Sequence, residues 1–160
     1  MARRYGGDAV VRPGDDVLLA EALSARLHRP ILGRPLVSGG AAVVYECVGS
    51  AASLDTAVRF TREGGTAVML GLAAIPKGID WTSIWLKELA VHGSYAYGVE
   101  TWQGRRVRTF QLLLELMAEG KLDLSTLLTH RFSLSEYRKA LATATQKSRH
   151  HLVKAVFAFA

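Results

Sequence analysis

The sequence predicts an α/β chain, an incomplete doubly wound parallel sheet flanked by helices. Three observations carry that prediction. Residues 43–71, VVYECVGSAASLDTAVRFTREGGTAVMLG, read as an apolar strand, a glycine turn, a helix, a double glycine and a second apolar strand, the unit from which parallel sheets are built. Both strands of that unit stop at a glycine, Gly49 and Gly71. Outside it, strand-like and helix-like stretches keep alternating, with no internal repeat and no low-complexity tract.

Taken in order, residues 8–11, DAVV, are expected to form a short strand that RPGDD at 12–16 breaks. Asp15 or Asp16 is expected to cap a helix in which Val17, Leu18, Ala20, Leu23 and Leu27 recur near helical spacing. Residues 28–40, HRPILGRPLVSGG, hold two prolines and three glycines and are expected to be a loop. A strand over 43–48 follows, and Ser50 or Ser53 is placed to cap the next helix. The second strand covers 66–70.

After a loop at 72–80, the sequence predicts a short helix in WTSIWLKE and a strand over 89–95. A turn is expected over 98–104. A helix over 105–119 then sets Phe110, Leu113, Leu114 and Met117 on one face and stops at Gly120. Ser133 and Glu136 have the spacing of a capping box for a last helix over 134–145, and residues 152–159 close the chain as a strand.

At 160 residues the chain has the length of one domain, with 49% apolar and 21% charged residues. That balance excludes disordered and collagen-like classes. The longest apolar runs fall far below the ~20 residues of a membrane span, and no signal-peptide core opens the chain. One cysteine, Cys47, excludes an internal disulfide and fits a reducing compartment, so a cytoplasmic location is expected. Net charge is +6, but the lysines and arginines are scattered and no recognition helix, aromatic RNA-binding box or zinc finger accompanies them. Nucleic acid is therefore not an expected partner, and neither is a membrane.

Several phrases in order resemble one family. ECVGS at 46–50, REGGTAVMLG at 62–71, KELAVHGSYAYG at 87–98, GKLDLSTLLTHRFSLSEYRKAL at 120–141 and KSRHHLVKAVF at 147–157 resemble the zinc-dependent medium-chain dehydrogenase/reductase family, in its alcohol, polyol and threonine dehydrogenase branch. The resemblance covers nearly the whole chain. It implies a Rossmann-like nucleotide-binding domain, with residues 1–160 as its C-terminal part plus a C-terminal tail, and hydride transfer between NAD or NADP and an alcohol or ketone. A quinone-reductase-like member without zinc fits the KELAVHGSY and THRFSLSEY wording less well.

The same resemblance marks what the chain lacks. A zinc-binding catalytic domain, the first two strands of the nucleotide fold and a GxGxxG turn are expected upstream, and none occurs in these residues. A single cysteine supplies neither a four-cysteine zinc site nor a catalytic one, so zinc is assigned to the absent domain, and no catalytic or metal-ligating residue is expected here. The chain alone is expected to be inactive. In a 3-2-1-4-5-6 sheet the strand over 43–48 would then be an open apolar edge. Strand exchange, edge pairing with a second copy into a homo-oligomer, or folding of Ala9 to Val11 onto it would cover that edge. A non-catalytic truncated or split module that self-associates is the alternative function.

In open parallel sheets ligands sit beyond the carboxyl ends of the strands, which places Gly49 and Gly71 beside a nucleotide. The resemblance implies that Gly49 and Ser50 meet the cofactor's ribose and that Val48 packs toward its nicotinamide side. It also implies that Gly71 and Leu72 run along the nicotinamide ring, with Ser94 and Tyr95 as a third such segment. Lys154, with Arg149 as the alternative, is a candidate cation for the pyrophosphate. Cys47 is expected in the core, because it lies within an apolar run. His92, His130, His150 and His151 lack metal-site spacing and are expected to be structural or surface residues.

Overall fold

The computed structural model describes residues 2–30 and 34–159. It divides the chain into two compact units, residues 1–96 and 97–160, where the length alone suggested one domain.

In the first unit, a 3-10 turn at Ala2–Tyr5 leads to helix α1, Asp16–Ala22. Of the two possible caps the structure uses Asp15, whose carboxylate accepts the Leu18 N–H at 3.0 Å. Residues 8–11 form no strand. A strand exists only where a neighbour takes its hydrogen bonds, and among the described residues none lies beside DAVV. The same finding removes Ala9 to Val11 as the cover for the sheet edge.

Helix α1 stops before Leu27, because Ser24 takes a positive φ of 52° and turns the chain into strand β1, Arg26–His28. That strand pairs antiparallel with β2, Leu36–Ser38, so the expected loop at 28–40 carries half of a small ribbon. Residues 31–33 of that loop lie outside the described residues. Pro30 and Pro35 flank the two strands instead of interrupting them, which leaves the ladder N–H groups intact.

The sheet of this unit has the order β3-β4-β5, with β3 at Ala41–Glu46, β4 at Thr61–Met69 and β5 at Ala90–Gly93. Both pairings are parallel, Val44 opposite Ala67 and Ala67 opposite Val91. Helix α2, Ala51–Phe60, crosses from β3 to β4, and a short helix α3, Thr82–Leu86, precedes β5. The crossover helix buries Leu54, Ala57, Val58 and Phe60. Phe60 joins Ala20 of α1 and Val37 of β2 in the core cluster.

No strand among the described residues pairs with the outer side of β3. Val43 and Tyr45 remain 47% and 67% exposed, so the expected open edge is present.

Buried charges fasten the helices around this small core. Asp55, fully buried on α2, accepts Arg34 Nη1 at 2.6 Å and the Asp80 N–H at 2.9 Å. Arg59, one turn on, reaches Asp16 of α1 at 2.8 Å. Lys87 is buried after α3 and donates from Nζ to the Arg59 and Thr61 carbonyls, each at 2.7 Å. Those carbonyls belong to the end of α2, where a helix leaves acceptors unsatisfied.

The second unit opens with an antiparallel ribbon, β6 at Val99–Trp102 and β7 at Arg105–Arg108, where the sequence suggested only a turn and the start of a helix. Gln103 and Gly104 both have positive φ, 49° and 79°, the geometry a two-residue hairpin loop demands. Helix α4 therefore starts late, at Thr109–Ala118, and stops at Gly120, whose φ is 69°. Its buried residue is Leu112, while Phe110, Leu113, Leu114 and Met117, the expected inward face, are exposed. A 3-10 turn at Ser125–Leu127 leads to β8, Leu128–Phe132, which pairs in parallel with β9, Lys154–Phe157. Between them, the expected Ser133 and Glu136 capping box starts a 3-10 turn at Leu134–Glu136 and then α5, Tyr137–Thr145.

Lys87→Met is expected to lower stability by about 2 kcal/mol, because two carbonyls lose their donor inside the protein. Denaturant unfolding measures that loss. Burial holds the Lys87 amine below its usual 10.5, with Arg59 adding repulsion and Glu63 opposing. The protonated form is thus the disfavoured one in the folded chain. Stability from this group should rise as pH climbs through the folded value toward the unfolded one, and Lys87→Met should abolish that rise.

Candidate functional site at the carboxyl ends of the sheet

The three parallel strands end together, and three short segments leave them side by side. After β3 come Cys47, Val48, Gly49 and Ser50; after β4 come Leu70, Gly71 and Leu72; after β5 come Ser94 and Tyr95. The Ser94 N–H bonds the Met69 carbonyl at 2.9 Å, holding the third segment to the second.

The first two segments touch through main chain. Gly49 has a φ of +81°, and a Cβ there would lie 2.7 Å from the Leu72 backbone. A Cβ on Gly71 would run into the Gly49 nitrogen and Glu46 Oε2. Glycine is required at both positions by this approach, at Gly49 also by its backbone conformation.

Glu46, the last residue of β3, organises the junction and had no role in the sequence reading. Its Oε1 accepts the N–H groups of Val48 and Gly49, each at 2.9 Å. Its carbonyl accepts those of Leu70 at 2.8 Å and Gly71 at 2.9 Å. Burial pushes the carboxyl pKa up, but the Ser53 hydroxyl and the Gly49, Val48 and Gly71 amides outweigh it and hold the group below the usual carboxylate range. The signal available beforehand was its position, an acidic residue closing an apolar strand three residues before a glycine.

Two cavities flank the junction. One of about 560 Å³ lies over β4 and β5 and is lined by Met69, Gly71, Leu72, Gly93, Ser94 and Tyr95. It gathers four of the expected cofactor residues, and the Leu72 and Tyr95 side chains stand 85% and 89% exposed around it. A Cβ on Gly93 would meet nothing within 4 Å, so that wall is open space. The other, about 570 Å³, runs along β3 and α2 and is lined by Val48 and Ser50 together with Val11, Leu19, Val44 and Ala57.

Ser50 and Ser53 are both used locally, in a reciprocal capping box whose N–H to Oγ distances are 3.1 Å each way. Lys154 lies on β9 of the second unit, opposite Leu128, and is exposed. Arg149 follows α5 in the same unit. Cys47 is exposed, contrary to the expected core position: β3 ends at Glu46, so Cys47 already belongs to the turn that leaves the sheet. His92, His150 and His151 are exposed and His130, on β8, is half-buried, and no three His, Cys, Asp or Glu residues among the described residues come together as metal ligands.

The model of the zinc-binding dehydrogenase family matches residues 1–118. The chain is similar to L-idonate 5-dehydrogenase of Vitis vinifera, 26% identical over 98% of this chain and 39% of the relative. It is also similar to L-threonine 3-dehydrogenase of Saccharopolyspora erythraea, 33% identical over 90% of this chain and 37% of the relative. The chain thus spans well under half the length of these curated relatives. Among solved structures, an alcohol dehydrogenase of Escherichia coli CFT073 complexed with NADH shares the fold, with a TM-score of 0.66 at 18% identity over 99% of this chain and 40% of that one. A zinc-binding dehydrogenase of Sinorhizobium meliloti 1021 bound to NADP gives 0.60 at 27% identity, over 88% of this chain and 37% of that one.

Gly71→Ala is expected to cost about 1–3 kcal/mol, since its methyl must displace main chain at the junction. Thermal unfolding of this variant beside Gly93→Ala, expected to unfold like the parent chain, checks the contrast.

Proposed function

The chain belongs to the zinc-binding dehydrogenase family, and we propose that it supplies the nicotinamide-side half of a dinucleotide site for hydride transfer between NAD or NADP and an alcohol or ketone. On this reading residues 1–160 are the C-terminal part of a nucleotide-binding domain with its tail, working in the cytoplasm. The observation that carries it is the meeting of Gly71, Leu72, Ser94 and Tyr95 around one cavity at the carboxyl ends of a parallel sheet, the place where such sheets hold nucleotides.

The residues fit the organic cofactor. A cavity of about 560 Å³ with an open wall at Gly93 admits a flat ring, and the Gly49 and Gly71 turns bring main chain to its rim. When bound, the cofactor supplies the carbon that gives or accepts the hydride. What the chain contributes is shape: the turns position the ring, and the exposed Leu72 and Tyr95 side chains close over it and exclude water. Val48, Gly49 and Ser50 serve the adjoining ribose. Among the described residues, one exposed cysteine and scattered histidines offer no tetrahedral set and do not fit zinc.

Calorimetric titration with NAD and NADP should show micromolar binding to the isolated chain, without alcohol oxidation. Gly93→Ala should bind about tenfold more weakly, because its methyl enters the cavity. Turnover by the purified chain, or equal binding by Gly93→Ala, would refute the reading.

The unpaired side of β3 favours a second reading, a module that self-associates through this edge. Exposed apolar strand edges recruit other strands, and Val43 and Tyr45 lie open along it. Sedimentation should show association that grows with concentration and that Tyr45→Lys suppresses. A monomer at every concentration removes this reading.

A further inference from the structure

Acidic side chains are seldom buried without a partner, because removing their charge from water is costly. Glu46 is 3% exposed, and among the described residues it forms no ion pair. Its charge is held by the N–H groups of Val48 and Gly49 on Oε1 at 2.9 Å, with the Ser53 hydroxyl and the Gly71 amide also favouring the ionised form, while no group lies in hydrogen-bonding geometry to the buried Oε2. An oxygen left unsatisfied in that way marks a side chain kept for more than packing. Oε2 lies on the side of Gly71, in the space that a Cβ on that glycine would need.

The backbone of the same residue bonds the other turn, through its carbonyl to Leu70 and Gly71. One residue therefore grips both segments that leave β3 and β4. Removing it would leave two turn amides without acceptors and a gap where Gly71 rests. Gly49 and Leu72 would no longer be pressed together.

We infer that Glu46 is a positioning residue of the dinucleotide site: it locks the Val48–Gly49 turn against the Gly71–Leu72 turn and so fixes where the Gly71–Leu72 segment borders the cavity over β4 and β5. The inference rests on the site reading above and adds a residue that touches no ligand. Reach matters more than charge in this role. Glutamine keeps the chain length and an accepting oxygen for the two amides, whereas aspartate keeps the charge and falls one methylene short.

The test compares NADH binding by the full chain with that of Glu46→Gln and Glu46→Asp, alongside amide chemical shifts of Val48, Gly49 and Gly71. Glu46→Gln should bind within about threefold of the parent, and Glu46→Asp about tenfold more weakly with displaced Val48 and Gly49 amides. A purely structural role would lower melting temperature in either variant and leave the affinity of the folded chain unchanged. Glu46→Asp binding like the parent overturns the inference, as does Glu46→Gln binding as weakly as Glu46→Asp. If Glu46→Asp does not fold, Glu46→Gln decides alone, parent-like amide shifts and affinity supporting the inference and a tenfold loss ending it. No NADH binding by the parent chain would instead overturn the site reading, and the inference with it.

Discussion

Two parallel strands end so close together that no side chain fits between the turns that follow them. That approach, Gly49 against Leu72 and Gly71 against Gly49 and Glu46, is the constraint on which the first unit depends. It requires β3 and β4 to be neighbours in register, which needs a crossover helix of the length of α2. It requires glycine at two positions and an acceptor at the end of β3 to hold the turn amides. The cavity over β4 and β5 exists because these turns fold back before the chain moves away.

Charged side chains tie together the segments around this sheet, beside its apolar core. Asp55 and Arg59 sit one turn apart on α2 and reach Arg34, Asp16 and the Asp80 amide. Each interaction joins segments distant in sequence, so α1, the stretch before β2 and the stretch before α3 are all fastened to one helix. Buried ion pairs often contribute little net stability once desolvation is counted. What they do here is fix orientation, since a guanidinium donates to a carboxylate only in a narrow set of geometries. Lys87 does the same for the end of α2.

Legibility in the sequence followed how local each cause was. A cap at Ser50 or Ser53, a cap at Asp15 or Asp16, the Gly120 stop and the Ser133 and Glu136 box were readable because each is settled within a few residues, although only the structure showed that the two serines cap reciprocally and that Asp15 is the one used. The ribbons β1–β2 and β6–β7 were missed, since prolines and glycines that flank short strands look the same in sequence as those that fill loops. The DAVV strand failed for the opposite reason, as its propensity was adequate and its partner absent. For the site, Gly71, Leu72, Ser94 and Tyr95 were named in advance and share one cavity. Glu46 was not, because a carboxylate in an apolar strand declares its partners only when the following turn folds back over it.

By itself the sequence determined the central strand, helix, strand unit, the glycines that end its strands, and the family. Periodicity, caps and turn residues act over short separations, which is why these could be read. Only the tertiary structure decided that residues 8–11 form no strand, that Cys47 is exposed, that the apolar face of α4 is left open, and that Glu46 joins two turns. Each of those depends on which segments lie beside one another, and contact between residues far apart in the chain is set by packing and pairing partners instead of by local propensity.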